Sequence, residues 1–247
     1  MNTYKKNKVF CIGLSRTGTT SLCKALELLG YKSLHFSLGL FINPQVICKD
    51  LSFMPRQKLN PYWAWRRKKE IKAINAGFDK NILQNYDAFG DLPIPLFYKE
   101  LDNKFPGSKF IYTHRNEGKW LKSMKWLYNE GAVLWGHGLI DDEIKYKAYN
   151  CYQYDKEKLI EAYRTHDEDV KDYFADRSED LLSLNIDEER IDFQKLSEFL
   201  DEPVPDESFP KSNTRRSVKF SKRAWYIVCR NIPFLGLIHQ KVATAIS

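Results

Sequence analysis

The most constraining feature of the sequence is a turn with two glycines that joins an apolar run to an amphipathic segment. The stretch KVFCIGLSRTGTTSLCKALELLGY, residues 8–31, begins with the apolar run Val9–Ile12 and continues through a turn at 13–18. After the turn, apolar residues recur at helical spacing, at Leu22, Ala25, Leu26 and Leu29. This order predicts a strand, a turn and a helix.

The turn has the glycine spacing of a phosphate-binding loop without that loop's lysine. Nucleotide hydrolases carry G-x-x-x-x-G-K-[ST]; Gly13 and Gly18 match the glycines, Thr19 replaces the lysine, and a cation lies earlier, at Arg16. Because the N–H groups of a helix N-terminus hold phosphate by themselves, anion binding survives this exchange. A kinase or ATPase is disfavoured, since the lysine that reaches the β and γ phosphates is missing and no strand is expected to end in a magnesium-binding aspartate. An ordinary strand-to-helix turn is the alternative.

Length and composition limit the chain to one sizeable α/β domain with additions. A chain of 247 residues, 43% of them hydrophobic, can bury one core, but two full domains would be cramped. The net charge of +7 indicates an anionic partner without choosing among nucleotides, membranes and nucleic acids. The five cysteines lack metal-ligand spacing, so we expect a reducing compartment and no metal site. Without a recognisable secretory signal or a spanning apolar stretch, a cytoplasmic location is expected.

Further strands and helices alternate along the chain. SKFIYTHR and DLLSLNI read as strands, NYDAFGDLP as a short extended piece, and DFQKLSEFLDEPVP as a helix stopped by proline, with helical segments at 94–106, 117–131 and 141–174. This alternation predicts a three-layer α/β/α fold with a mostly parallel sheet, like that of P-loop nucleoside triphosphate hydrolases. In such sheets ligands bind beyond the carboxyl ends of the strands.

Changes in pattern divide the chain into a main domain, 1–216, and an extension, 217–247. Within the main domain, residues 36–74 contain three prolines and read as an insertion or lid. The basic aromatic cluster at 62–69 fits a gate, an anionic-surface contact or a solvated helix. The basic and apolar stretch 215–247 fits an interfacial helix on an anionic membrane. A docked terminal helix and an oligomer contact are the alternatives.

The loop SRTGTTSL resembles the 5′-phosphosulfate loop of sulfotransferases that use 3′-phosphoadenosine 5′-phosphosulfate (PAPS). The cytosolic branch of that family reads Tyr-Pro-Lys-Ser-Gly-Thr-Thr, and here arginine takes the place of the lysine. Ser21 stands where that branch carries a tryptophan that stacks on adenine. The resemblance assigns donor binding to Arg16, Thr17, Gly18, Thr19, Thr20 and Ser21, and gives Arg16 a catalytic role at the leaving bridge oxygen.

The second motif of the resemblance is IYTHRNEGKWLKS, in which Arg115 ends a strand and Ser123 follows eight residues later in a helix. In sulfotransferases this pair, at this spacing, grips the 3′ phosphate, and a guanidinium fork suits a phosphate dianion. Taken alone, the two residues could equally be a strand-end ion pair and a surface serine. Together with the loop, they indicate a nucleotide with a 3′ phosphate.

The third motif is FGDLP, whose Asp91 falls where cytosolic sulfotransferases carry a catalytic histidine in Lys-Thr-His-Leu-Pro. Other branches use a carboxylate, so the resemblance makes Asp91 the candidate base. Asp91 could instead, or in addition, cap the helix that follows Pro93. His35 is a possible residue of the acceptor pocket, and His114 is expected to pack or to form local hydrogen bonds.

The resemblance covers roughly 8–216, including a closing strand, helix and Pro-Val-Pro segment similar to those of short sulfotransferases that begin with GLSRTGTTSL. Lys211 and Arg215 are possible further contacts of the 3′ phosphate. The resemblance implies metal-free sulfuryl transfer from PAPS to a hydroxyl or amine of a small molecule, glycan or lipid, with no nucleic-acid partner. A P-loop kinase or nucleotide-binding protein, and a non-catalytic membrane-associated member of the fold, are the alternatives.

Overall fold

The structure, a computed structural model, describes residues 7–35, 80–128, 139–187 and 192–211. Several sequence expectations fall outside these residues, namely the insertion at 36–74 with its basic aromatic cluster, Arg215 and the extension at 217–247.

A five-stranded parallel sheet forms the centre of the described part of the chain. Its strands are β1 (Val9–Cys11), β2 (Ser33–His35), β3 (Ala88–Gly90), β4 (Lys109–His114) and β5 (Leu181–Asn185). They lie in the order β2-β3-β1-β4-β5, and every pairing is parallel. The central β1 is fully buried, which is why its sequence is uniformly apolar rather than alternating.

Helices connect the strands and cover both faces of the sheet. They are α1 (Thr19–Leu28), α2 (Lys80–Asn85), α3 (Tyr98–Lys104), α4 (Glu117–Trp126), α5 (Leu139–Tyr149), α6 (Lys156–Tyr173) and α7 (Phe193–Leu200). Short 3₁₀ turns occur at Ile94–Leu96 and Ser178–Asp180. Asn116, Asp155 and Asp192 begin α4, α6 and α7 as N-caps, because each side chain accepts a hydrogen bond from a first-turn N–H group.

Two apolar clusters on opposite faces of the sheet make the fold three-layered. Successive strand residues point to opposite faces, and accordingly Phe10 and Ile12 belong to one cluster while Val9 and Cys11 belong to the other. The first cluster also contains residues of α3 to α6, and the second contains residues of α1 and α7. The predicted α/β/α architecture is therefore confirmed.

Two elements were not foreseen from the sequence, namely β2 and α2. The strand β2 has only three residues, all half-buried, so it lacks the apolar run that marks the other strands. It forms because it extends the sheet beside β3, with His35 opposite Gly90.

Within the described part of the chain, no helix is both long and apolar enough to span a bilayer.

Candidate functional site

The loop between β1 and α1 lies at the carboxyl edge of the sheet and needs its glycines. A Cβ atom on Gly13 would lie 2.1 Å from Thr113 Oγ1 and 2.5 Å from Thr113 O, so no side chain fits there. Gly18, with φ of 93°, is the N-cap of α1 in a left-handed conformation and provides no side-chain cap. The first-turn N–H groups of a helix have no partner in the preceding turn, so this end of α1 suits an anion.

Three aromatic side chains hold the rear of the loop through main-chain hydrogen bonds. Tyr149 Oη accepts a hydrogen bond from Ser15 N at 3.1 Å, and Trp120 Nε1 donates to Ser15 O at 2.9 Å. His166 Nε2 donates to Ile12 O at 2.8 Å, because a carbonyl oxygen only accepts. Burial lowers the pKa of His166 despite that bond and the nearby carboxylates. Sequence reasoning missed these contacts, which join residues more than 100 positions apart.

Asp91 lies at the front of the loop, directly after β3. Ser15 Oγ donates to Asp91 Oδ1 at 2.6 Å, and the backbone N–H of Leu92 donates to the same oxygen at 2.8 Å. The expectation that Asp91 caps the next helix is wrong: the 3₁₀ turn after it has Pro93 at its N-cap and no side-chain cap bond. The Asp91 carboxylate instead faces the loop.

An aspartate directly follows a strand beside β1, although no strand was expected to end in a magnesium-binding aspartate. The strand β3 is the neighbour of β1, and it runs directly into Asp91. Because the strand has only three residues, its end was not evident in the sequence. The missing lysine remains an argument against a kinase, whereas the missing carboxylate does not.

His35 joins Asp91 to the start of α1. The register of β2 and β3 places His35 opposite Gly90, one residue before Asp91. His35 Nε2 lies 3.4 Å from Asp91 Oδ2, 3.2 Å from Thr19 Oγ1 and 3.0 Å from Thr20 Oγ1. The imidazole therefore contacts both the candidate base and the candidate anion loop.

Arg16 links the loop to the second motif. Its Nε donates to Ser123 Oγ at 2.9 Å, and its guanidinium carbon lies 5.1 Å from the centre of the Trp126 ring. Ser123 is buried, so the alternative of a helix-surface serine is wrong. The backbone of Arg16 has a φ of 74°, a left-handed conformation that is uncommon for a residue with a side chain.

Arg115 lies just beyond β4 and contacts the loop as well as a carboxylate. Its Nη1 donates to Arg16 O at 3.3 Å, while Nη2 donates to Asp187 Oδ1 at 3.1 Å and Nε to Asp187 Oδ2 at 3.4 Å. Tyr163 Oη fixes the Arg115 backbone, since it donates to Arg115 O at 2.6 Å and accepts from Arg115 N at 3.0 Å. A strand-end ion pair thus exists at Arg115, beside the loop.

Most of the site residues suggested by the sequence gather at this edge of the sheet. The Thr17 hydroxyl is buried within the turn rather than directed at a ligand. It donates to Leu14 O at 2.7 Å and contacts Thr113, so it stabilises the turn. Lys211 is exposed, and no contact joins it to the loop among those described. His114 stacks on Tyr112 with ring centres 5.3 Å apart, which confirms the packing role expected for it. Among the described residues, no three His, Cys, Asp or Glu side chains form a cluster that could hold a metal ion.

The sequence profile of the sulfotransferase domain matches residues 8–218, which is most of the chain and includes all three motifs. The chain belongs to the sulfotransferase family. Its Asp91, Arg16, Arg115 and Ser123 all lie within the matched region.

The chain is also similar to a protein of Aspergillus versicolor and to a solved sulfotransferase structure. Ava biosynthesis cluster protein M of Aspergillus versicolor is 32% identical over 123 residues, which are 48% of this chain and 42% of that protein. The match therefore spans less than half of that relative. A crystal structure of a sulfotransferase from Alicyclobacillus acidocaldarius aligns over 94% of both chains with a TM-score of 0.43 and 15% identity. The family assignment depends on the domain match, because this structural likeness is loose.

Proposed function

We propose that the protein transfers a sulfuryl group from PAPS to a hydroxyl or amine group of an acceptor. The observation that carries this proposal is the contact between the three motifs: Arg16 bonds to Ser123, Arg115 to the Arg16 carbonyl, and Asp91 to Ser15. Three separate parts of the sequence thereby form one site with two arginines and a carboxylate. Family membership supports the same reaction class.

The chain's own groups suit a donor with two phosphates. The start of α1 with Arg16 offers N–H groups and a guanidinium for the 5′-phosphosulfate, and Arg115 with Ser123 offers a fork and a hydroxyl for the 3′ phosphate. PAPS supplies an activated sulfuryl group. Because Arg16 and Ser123 are already within 2.9 Å of each other, one donor molecule would contact both motifs.

The proposed chemistry assigns one task to each charged group. The acceptor oxygen or nitrogen forms a bond to sulfur, the bond between sulfur and the bridging oxygen breaks, and the Asp91 carboxylate takes the acceptor proton. Arg16 and the N–H groups of the loop stabilise the negative charge left on the phosphate of the departing nucleotide. Ser15 and the Leu92 N–H group orient Asp91 through the same Oδ1 atom, and we assign the proton transfer to Oδ2, which lies 3.4 Å from His35 Nε2.

A P-loop kinase is the rival that uses the same fold. Asp91 at the end of β3 could serve magnesium chemistry, but Thr19 replaces the lysine that such a loop needs. Thr19 carries no positive charge, and its Oγ1 atom contacts His35. The site therefore favours sulfuryl transfer over transfer of a γ phosphate.

We propose a small-molecule, glycan or lipid acceptor, no nucleic-acid partner, and a peripheral membrane contact through residues 215–247.

The test is turnover of PAPS by the purified protein with a panel of hydroxyl and amine acceptors. Chromatography would measure adenosine 3′,5′-bisphosphate, and mass spectrometry the sulfated acceptor, in parallel with a magnesium ATP reaction. We expect acceptor-dependent release of the bisphosphate, its loss in Asp91→Asn, and its retention in Asp87→Asn. Asp87 is the matched control because it lies at the opposite end of β3 and bonds to Lys32 N. Consumption of ATP in place of PAPS would contradict the proposal.

A further inference from the structure

A carboxylate of the chain itself occupies the position where the proposed donor needs an anion site. The register of β4 and β5 places His114 opposite Asn185, so Arg115 and Asp187 both lie just beyond the ends of adjacent strands. The side chain of Asp187 is 10% exposed, and that of Arg115 is 21% exposed. The contact is thus largely enclosed.

Asp187 uses several groups that a phosphate would use. It accepts hydrogen bonds from Arg115 Nη2 at 3.1 Å and from Asn116 N, at the start of α4, at 2.8 Å, and Lys119 Nζ lies 3.4 Å from its Oδ1 atom. A guanidinium fork, a helix N-terminus and a lysine form the donor set that proteins present to phosphates. Burial raises the pKa of Asp187, but the bonds from Arg115 and Asn116 and the nearby cations outweigh it and lower the pKa overall. The carboxylate is therefore charged at neutral pH.

We propose that Asp187 is an internal counter-ion that competes with the 3′ phosphate of the nucleotide for Arg115, and so limits the affinity for nucleotides that carry this phosphate. The inference rests on the proposed function, since it assumes that Arg115 receives the 3′ phosphate. A phosphate dianion that approaches Arg115 meets a like charge, and like charges at close range weaken binding. Either Asp187 moves away from Arg115 or the two anions share it, and both outcomes reduce affinity.

Arg115 has contacts besides the carboxylate, one at its guanidinium and two at its backbone. Its Nη1 donates to Arg16 O, and Tyr163 Oη makes two hydrogen bonds with its backbone. Removing the charge of Asp187 should therefore leave the guanidinium in place for a phosphate. If Asp187 instead served mainly to orient Arg115, its removal would weaken binding, so the two roles predict opposite signs.

The test is calorimetric titration of the full chain and its Asp187→Asn variant with adenosine 3′,5′-bisphosphate and adenosine 5′-monophosphate. We expect the variant to bind the bisphosphate about tenfold more tightly, as removal of one close like charge allows, and the monophosphate within about twofold. The matched control is Asp180→Asn, since Asp180 directly precedes β5, at the end of the strand opposite to Asp187, and pairs with Lys109. It should change neither affinity.

Two outcomes would overturn the inference. In the first, the wild type binds the bisphosphate and the Asp187→Asn variant binds it equally or more weakly. This result refutes competition and leaves the proposed function standing. Absence of bisphosphate binding in both proteins refutes the proposed function and the inference with it, whereas binding by the variant alone would support both. If Asp187→Asn does not fold, as judged by its thermal transition, Asp187→Ser is measured against the same criteria.

Discussion

The rear and the front of the loop at 13–18 are built from different kinds of contact. At the rear, Trp120, Tyr149 and His166 each make one hydrogen bond to a main-chain atom of the loop or of the residue before it, and Trp120 and Tyr149 are fully buried. At the front, Asp91 contacts the side chains of Ser15 and His35, and the side chains of Asp91 and His35 are 13% and 26% exposed. The rear sets the shape of the loop, while the front holds groups that a ligand can take over.

This difference follows from what burial demands of polar groups. Main-chain N–H and C=O groups of a buried turn must find partners, and the polar tips of Trp, Tyr and His provide them while their rings fill the core. Charged groups are costly to enclose without partners, so Asp91 and Arg115, which are largely enclosed, each have a polar partner, the hydroxyl of Ser15 and the carboxylate of Asp187. Breaking contacts at the front should therefore affect catalysis and binding, and breaking contacts at the rear should lower stability.

The largest expected effect is on the front, from Asp91→Asn. Turnover of PAPS should fall by about 10²- to 10⁴-fold, because an amide cannot take the acceptor proton. The amide oxygen can still accept a hydrogen bond from Ser15 Oγ. The affinity for adenosine 3′,5′-bisphosphate should therefore change by no more than about twofold, which is much less than the tenfold change that corresponds to about 1.4 kcal/mol. Steady-state kinetics and calorimetry check the two halves. Full activity with an acceptor of ordinary hydroxyl acidity would show that Asp91 is not the base.

The second effect, also on the front, comes from Arg115→Ala. Loss of a charge-assisted hydrogen bond of about 1.5–3 kcal/mol should weaken adenosine 3′,5′-bisphosphate binding by roughly ten- to more than a hundredfold. Binding of adenosine 5′-monophosphate should change far less, because it lacks the 3′ phosphate. Equal weakening of both nucleotides in calorimetry would mean that Arg115 acts through the loop contact at Arg16 O instead.

The third effect is on the rear, from Trp120→Phe. The carbonyl of Ser15 loses its donor within the core, which should lower the free energy of unfolding by about 1–3 kcal/mol. Urea denaturation would measure the loss, and turnover well below the thermal transition should be largely retained. A variant that keeps full stability but loses turnover would break the division between rear and front.

The smallest effect is a pH dependence of the rear, through His166. Burial lowers the pKa of this imidazole in the fold, while in the unfolded chain it takes up a proton near pH 6.5. Below about pH 6.5 the unfolded state therefore binds more protons than the folded state. The contribution of His166 to stability is present above about pH 6.5 and is lost as the pH falls below that value. Urea denaturation of wild type and His166→Gln between pH 7 and pH 5, about the range of this titration, should show a flatter profile for the variant. An unchanged slope in His166→Gln would contradict the assignment.

The sequence predicted the parts of this molecule whose signals are local. The apolar run of β1, the spacing of Gly13 and Gly18 and the interval between Arg115 and Ser123 are all visible within short stretches. The three-residue β2 is too short to give such a signal, so the position of His35 at a strand end was not predicted.

The supports of the site could not be read from the sequence because their partners are distant along the chain. Tyr149 is 134 residues from Ser15, His166 is 154 residues from Ile12, and Asp187 is 72 residues from Arg115. Each of these residues looks like an ordinary helix or loop residue in its own segment. Only the packing of α5 and α6 and the register of β4 with β5 bring them to the loop.

Calorimetric titration of the wild-type protein with adenosine 3′,5′-bisphosphate, adenosine 5′-monophosphate and magnesium ATP decides whether this edge of the sheet binds the proposed donor. We expect micromolar binding of the bisphosphate that requires the 3′ phosphate and does not depend on magnesium. A preference for magnesium ATP would assign the loop to kinase chemistry, and absence of binding by all three would contradict a donor site at this edge of the sheet.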